Sequence, residues 1–351
     1  MKTFCIVSAF ALLGTCATTK YSTKIKNLKD SIKLVDSTLV VNYANTITVK
    51  ELSKHLYAFS SDEFEGREVG EKGQKEAAQF LKSYYQNEAI VSPYEGSNYF
   101  QTIPEDFFSD GIKASENVLA YIEGSEKPEE VIIISAHLDH LGIEDDGQIN
   151  NGADDDGSGT VAIMEIAQAF NKAKKDGHGP KRSILFLHLT AEEVGKKGSE
   201  FYVNHPVFPL ENTIADLNID MIGRVDKKHT KNENYIYLIG SDRLSKELHY
   251  ISEKINQNYS NIYLDYRYNI EGERNNYYSR SDHYNFAKQG IPVIFYFNGE
   301  HNDYHEPTDT PDKIDYELLK KRTKLIFATA WQIANQEHRL ITDDNNNNYL
   351  K

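Results

Sequence analysis

The stretch Val131-Ile132-Ile133-Ile134-Ser135-Ala136-His137-Leu138-Asp139 decides the fold. Its first six residues form an apolar run with no polar alternation, as expected for a strand covered on both faces. Ser183 to Leu189 (SILFLHL) and Thr213 to Ile219 (TIADLNI) repeat the pattern. Asn117 to Ile122, Tyr235 to Ile239 and Ile291 to Phe297 (IPVIFYF) read as further strands. Helical patterns lie between and around them. Thr48-Val49-Lys50-Glu51 is a capping box, followed by Leu52, Leu56 and Phe59 at helical spacing. Helices are also predicted over Lys75 to Tyr85, Gly159 to Lys174, Asp242 to Ile255 and Tyr316 to Asn335. Strands alternating with helices imply an α/β sandwich with a mixed, largely parallel sheet.

The chain has 351 residues, enough for one domain with a full core. Its formal charge of −14 argues against nucleic acid as a partner, since phosphate recognition needs a basic face. Lys2 and the apolar run Phe4 to Gly14 read as a signal peptide, too short for an ordinary membrane-spanning helix. Leu13-Gly14-Thr15-Cys16 resembles a lipobox that would place a lipid on Cys16. Thr15-Cys16-Ala17 also suits a general signal peptidase. The polar segment after Cys16 favours the lipid anchor. The expectation is therefore export, to the cell envelope or beyond it, with no transmembrane span. The two cysteines, Cys5 and Cys16, both lie in this leader, leaving the folded part without a disulfide or a thiolate ligand. Residues 1–16 are assigned to the leader and 17–45 to a tether and loosely packed lead-in. A single catalytic domain is assigned to 46–340, and a disordered tail with four consecutive asparagines to 341–351.

Polar residues able to bind metal gather just past the buried strands. His137 and Asp139 follow the first, Glu192 and Glu193 follow SILFLHLT, and Asp220 follows TIADLNI. Ligands of open α/β sheets bind at that edge. Loops add Asp154-Asp155-Asp156 and Asp303-Tyr304-His305-Glu306. Alone, the aspartate triplet reads as a solvated acidic turn or as a calcium loop, though without the alternate spacing and terminal Glu of the helix-loop-helix site, and the glutamate pair reads as surface charge. From these residues two histidines and three carboxylates can be drawn, a zinc donor set without thiolates. A carboxylate bridging two ions, plus one histidine and one carboxylate on each, would clamp both reacting oxygens. A free carboxylate beside them would serve as general base.

These segments resemble the di-zinc aminopeptidase family, which includes relatives of glutamate carboxypeptidase II and has the three-layer fold of zinc-dependent exopeptidases. The resemblance is carried by Ser60 to Arg67, Ser135 to Gly142, Gly152 to Gly159, Ala191-Glu192-Glu193, Asn218 to Arg224, Arg280 to His283 and Tyr304 to Thr310. It implies two zinc ions and peptide substrates. His137 and Asp220 would hold one ion, Glu193 and His305 the other, and Asp155 would bridge them. Glu192 would be the general base, and Asp139 would fix the tautomer of His137. Tyr278, four residues before Asp282, is the expected oxyanion donor, with Tyr277 and His283 as alternatives. The chain departs from the family pattern at Val194 to Ser199. The segment between Tyr99 and Asn117 is too short for the inserted domain of some relatives.

The leading expectation is removal of N-terminal residues from peptides. A carboxypeptidase or dipeptidase is the alternative, with Arg224 and Arg280 available for a substrate carboxylate. Glutaminyl cyclase would need only one ion. A non-catalytic binding protein on the same fold would have no use for the full donor set.

Overall fold

The computed structural model describes residues 22–109 and 111–343. The leader, Cys16 and residues 344–351 lie outside them. Helix α1 covers 22–31, followed by α2 (Ser37–Ala44), α3 (Val49–Phe59) and α4 (Lys72–Asn87). Next come β1 (Phe100–Ile103), β2 (Ser115–Ile122), β3 (Lys127–His137), α5 (Gly159–Lys175), β4 (Arg182–Leu189), α6 (Lys197–Asn204) and β5 (Thr213–Ile219). The chain continues through β6 (Tyr235–Ile239), α7 (Lys246–Ile255), β7 (Tyr263–Asp265), α8 (His283–Lys288), β8 (Val293–Phe297) and α9 (Tyr316–Asn335).

The described strands form one mixed sheet in the order β1-β2-β4-β3-β5-β8-β6-β7, within the expected α/β sandwich. β3 lies in its interior, parallel to β4 on one side and to β5 on the other. Successive side chains of a strand point to opposite faces, and both faces are covered. Ile132, Ile134 and Ala136 pack with residues of α3, α5 and α9, including Leu56, Ile163 and Trp331. Val131 and Ile133 pack on the other side with Tyr202 of α6 and Phe286 of α8. That double cover is why the run shows no alternation.

The lead-in corrects one expectation. Residues 37–44 are not a loose tether: they form α2, whose Val40, Tyr43 and Ala44 are buried. The Tyr43 ring stacks on Trp331 of α9 at 5.7 Å. The short aromatic and β-branched content of this segment was hidden among Lys, Asn and Ser. The predicted helix from Asp242 starts at Lys246, because Ser245 caps it by accepting from the Leu248 N–H at 3.1 Å. Residues Ile341 to Asp343, assigned to the tail, are tied down. The Ile341 N–H donates to Glu247 at 2.7 Å, and Asp343 pairs with Lys246 at 2.7 Å. Among the described residues no helix is long and apolar enough to cross a membrane.

Candidate metal centre

The parallel strands β4, β3 and β5 are neighbours, so the residues after their C-terminal ends converge. His137 closes β3, Glu192 and Glu193 follow β4, and Asp220 follows β5. His305 arrives on the loop after β8, itself parallel to β5. Three residues at this edge hold left-handed backbone angles without being glycine: Ala191 (φ 59°), Met221 (φ 62°) and His305 (φ 59°). Such conformations cost of order 1–2 kcal/mol each and collect at functional sites.

The aspartate triplet divides its work. Asp154 accepts from the Gly223 N–H at 2.6 Å and lies 3.1 Å from His301. Asp156 accepts from the N–H groups of His137 (3.2 Å), Met221 (3.0 Å) and Gly159 (2.9 Å), tying the exits of β3 and β5 to the start of α5. Asp155 alone turns both oxygens to the pocket. Its Oδ1 lies 3.2 Å from His137 Nε2 and its Oδ2 lies 3.1 Å from His305 Nε2. Asp309 holds the loop by accepting from the Asp154 and Asp155 N–H groups at 2.9 and 3.1 Å.

The remaining candidate ligands complete two groups. Asp220 Oδ1 is 3.7 Å from His137 Nε2, and Glu193 Oε2 is 3.3 Å from His305 Nε2. Donor atoms on one tetrahedral zinc, at about 2.0–2.1 Å each, stand about 3.3 Å apart. The observed spacings fit that edge, so these residues suit the metal. Electrostatics point the same way. Burial disfavours charge on His305, yet the Asp155 and Glu193 carboxylates push it up to about 10. Burial likewise opposes charge on Glu193, but hydrogen bonds from His140 and His305 bring it down to about 2. Carboxylates gathered this closely call for positive charge among them. Glu192 behaves differently. Burial raises it well above the ordinary carboxylate range, helped by Asp282, Glu193 and Asp220 against His137.

Two expectations are corrected. The Asp139 carboxylate stands 3.8 Å from His137 Nδ1, too far to fix its tautomer; the Asp139 main-chain carbonyl does so at 3.1 Å. The carboxylate instead accepts from the Glu192 and Glu193 N–H groups at 3.1 and 3.3 Å, holding the glutamate pair. Tyr278 is absent from the pocket wall. It lies under the Arg243 guanidinium at 3.7 Å and lines an outer groove. Nor does His283 line the pocket; its ring is buried and stacks on Phe295. Tyr277 and Tyr304 do line it, with Met221, Phe295, Phe297, Arg280 and Glu300. Tyr304 lines the pocket beside His305; burial first, and then the charges of Asp155, Glu193 and Asp220, raise its hydroxyl. Tyr304 was missed, although it immediately precedes His305. None of Val194 to Ser199 reaches this wall.

Among known proteins, residues 117–330 match the model of Peptidase family M28. The chain is similar to aminopeptidase YwaD of Bacillus subtilis, with 25% identity over 236 residues, 65% of this chain and 45% of that protein. It is also similar to a probable leucine aminopeptidase of Trichophyton verrucosum, with 26% identity over 293 residues, 82% of this chain and 74% of that protein. Thus the chain spans less than half the length of the Bacillus relative. The crystal structure of the Legionella pneumophila LapA aminopeptidase superposes with a TM-score of 0.68 at 24% identity, covering 88% of this chain and 77% of that one.

Proposed function

The chain belongs to peptidase family M28, and from that premise we propose that it is a di-zinc aminopeptidase. One observation carries the reading: the two oxygens of Asp155 are aimed at two different histidines, each grouped with a further carboxylate. His137 and Asp220 would hold one ion, Glu193 and His305 the other, with Asp155 between them. Zinc bound there would polarise the scissile carbonyl and lower the pKa of a water.

The chain's own residues supply the rest. Glu192 is half-buried at the pocket wall and belongs to neither group; bound cations would oppose the burial and the carboxylate charges that raise it, leaving it ionised to take a proton from the attacking water. It then returns that proton to the leaving amine. Tyr304 is the better-placed donor to the developing oxyanion. Asp139 fixes the glutamate pair through its backbone. Arg224 and Arg280, which a carboxypeptidase would use, are both engaged. Arg224 pairs with Asp303 at 2.7 Å, and Arg280 with Glu300 at 2.8 Å. That supports recognition of an amine over a carboxylate.

The test is metal analysis combined with a substrate panel. Two zinc per chain and cleavage of aminoacyl anilides, but not of their N-acetylated forms, are expected. Equal cleavage of both forms would remove the aminopeptidase assignment. Export with a lipid on Cys16 completes the proposal, on the strength of the apolar run after Lys2. Mass spectrometry of the mature N-terminus distinguishes lipidation from simple cleavage.

A further inference from the structure

His140 is a third imidazole at the centre. It is 1% exposed. Its backbone is pinned: the His140 N–H donates to the Arg67 carbonyl at 3.2 Å. Its ring lies flat against Gly152, where an added Cβ would come within 2.6 Å of two ring carbons. Gly152 also has a left-handed φ of 52°, so the ring's seat admits only glycine.

The distances separate His140 from His305. His305 Nε2 stands 3.1 Å from Asp155 and 3.3 Å from Glu193, nearly equal and close to a tetrahedral edge. His140 Nδ1 stands 2.9 Å from Glu193 Oε1 and 3.9 Å from Asp155 Oδ2. The first is a hydrogen bond and the second is not. The two oxygens of Glu193 therefore face different partners: Oε1 faces His140 and Oε2 faces His305.

We propose that His140 is a positioning residue: its Nδ1–H holds Glu193 Oε1, so that Glu193 presents only Oε2 to the cation beside His305. The inference rests on the two-zinc reading and deepens it. His140, Asp155 and Glu193 bring donor atoms within 4.8 Å of one another and could hold an ion themselves. The unequal distances favour the hydrogen bond instead. A ring with its proton on Nδ1 leaves Nε2 as an acceptor without a protein partner, the cheaper of the two atoms to leave unbonded here because the donor is satisfied. A neighbour that orients a ligand in this way typically changes metal affinity by about 10–100-fold.

Two variants of the mature full-length protein test it. His140→Asn would keep an N–H donor near the Nδ1 position, and an asparagine side chain is a poor zinc ligand. His140→Leu would keep apolar volume and lose the donor. The readout is the pair of zinc affinities, measured by competition with a chromophoric chelator, alongside melting of the metal-free protein. His140→Leu is expected to weaken one of the two affinities by about 10–100-fold and to leave the other within about threefold. His140→Asn is expected to retain most of the affinity that the leucine variant loses. The proposal is overturned if His140→Leu leaves both affinities unchanged, or if both fall together with a lower metal-free melting temperature. It is equally overturned if His140→Asn is as weak as His140→Leu, since the ring itself or direct ligation would then be what matters. A parent protein that binds fewer than two zinc ions would instead remove the two-zinc reading.

Discussion

Replacing Arg67 by methionine tests how the pocket is held together. Arg67 is 1% exposed, and its guanidinium donates to four main-chain carbonyls: Leu138 (2.8 Å), Phe59 (3.1 Å), Asn151 (2.7 Å) and Gly152 (2.9 Å). Leu138 lies between His137 and Asp139, and Gly152 opens the loop that carries Asp155. One side chain thus clamps the β3 exit to the aspartate loop and to the end of α3. Burial pushes the guanidinium down to about 10, against the pull of Asp139, Asp155, Asp309 and Asp156, so it stays charged at neutral pH. Methionine matches the stem and supplies no donor. Four carbonyls would lose a partner at about 1–3 kcal/mol each if nothing relaxed. Loop movement and entering water limit that sum. A loss of about 3–5 kcal/mol is therefore expected, at the upper end for one substitution and a large share of a typical stability. Arg67→Lys should lie between, since an ammonium keeps the charge but cannot span the fork. Urea unfolding of metal-depleted protein is the assay, because bound metal adds its own stabilisation. A loss below about 1 kcal/mol for Arg67→Met, with an unchanged m-value, would refute the clamp.

Three other outcomes are expected. Glu192→Gln should keep its zinc and lose roughly 10²–10⁴ in kcat, the usual range for a general base; a near-parental rate would assign the proton transfer elsewhere. Tyr304→Phe should lower kcat by about 10²-fold, the scale of one oxyanion donor, while Tyr278→Phe stays within a few-fold of parent; the reverse order would restore Tyr278 to the site. Asp216 tests a buried carboxyl away from the metal. Burial raises it to about 8, with Ser135 donating to Oδ1 at 2.6 Å in opposition and Asp282 adding repulsion. The folded chain then keeps a proton that the unfolded chain releases near pH 4, so stability falls as pH rises from about 4 to 8. Asp216→Asn does not titrate, and its advantage over parent should grow across that window to the order of 2–5 kcal/mol by about pH 8. Urea midpoints that differ by the same amount at about pH 5 and about pH 8 would contradict it.

The sequence exposed the parts of the fold whose surroundings are uniform. β3, β4, β5, β6 and β8 are sheathed in apolar contacts, and their residue types declare it. β1 (FQTI) and β7 (YLD) are short, sit at the two edges of the sheet, and mix exposed with buried positions, so no pattern marks them. Helix α2 was concealed differently: three buried residues in an eight-residue element give too little periodicity to outweigh its polar neighbours.

The centre divides along a chemical line. Metal ligation restricts residue type, so His137, Asp155, Glu193, Asp220 and His305 stood out in the sequence, and the structure brings their donor atoms together. The residues that aim them rely heavily on main-chain partners. Asp139 holds two amides, Asp156 three amides, and Arg67 four carbonyls. Every residue but proline offers the same amide, so such partners leave no mark in a sequence. That is why three consecutive aspartates look alike until the chain is folded. Asp156 spends its carboxylate on backbone amides, and Asp154 on the Gly223 amide and the side chains of Asn298 and His301. Only then is Asp155 left with two oxygens facing two histidines. Replacing either outer aspartate should therefore disturb metal binding through the loop, although neither faces a candidate ion.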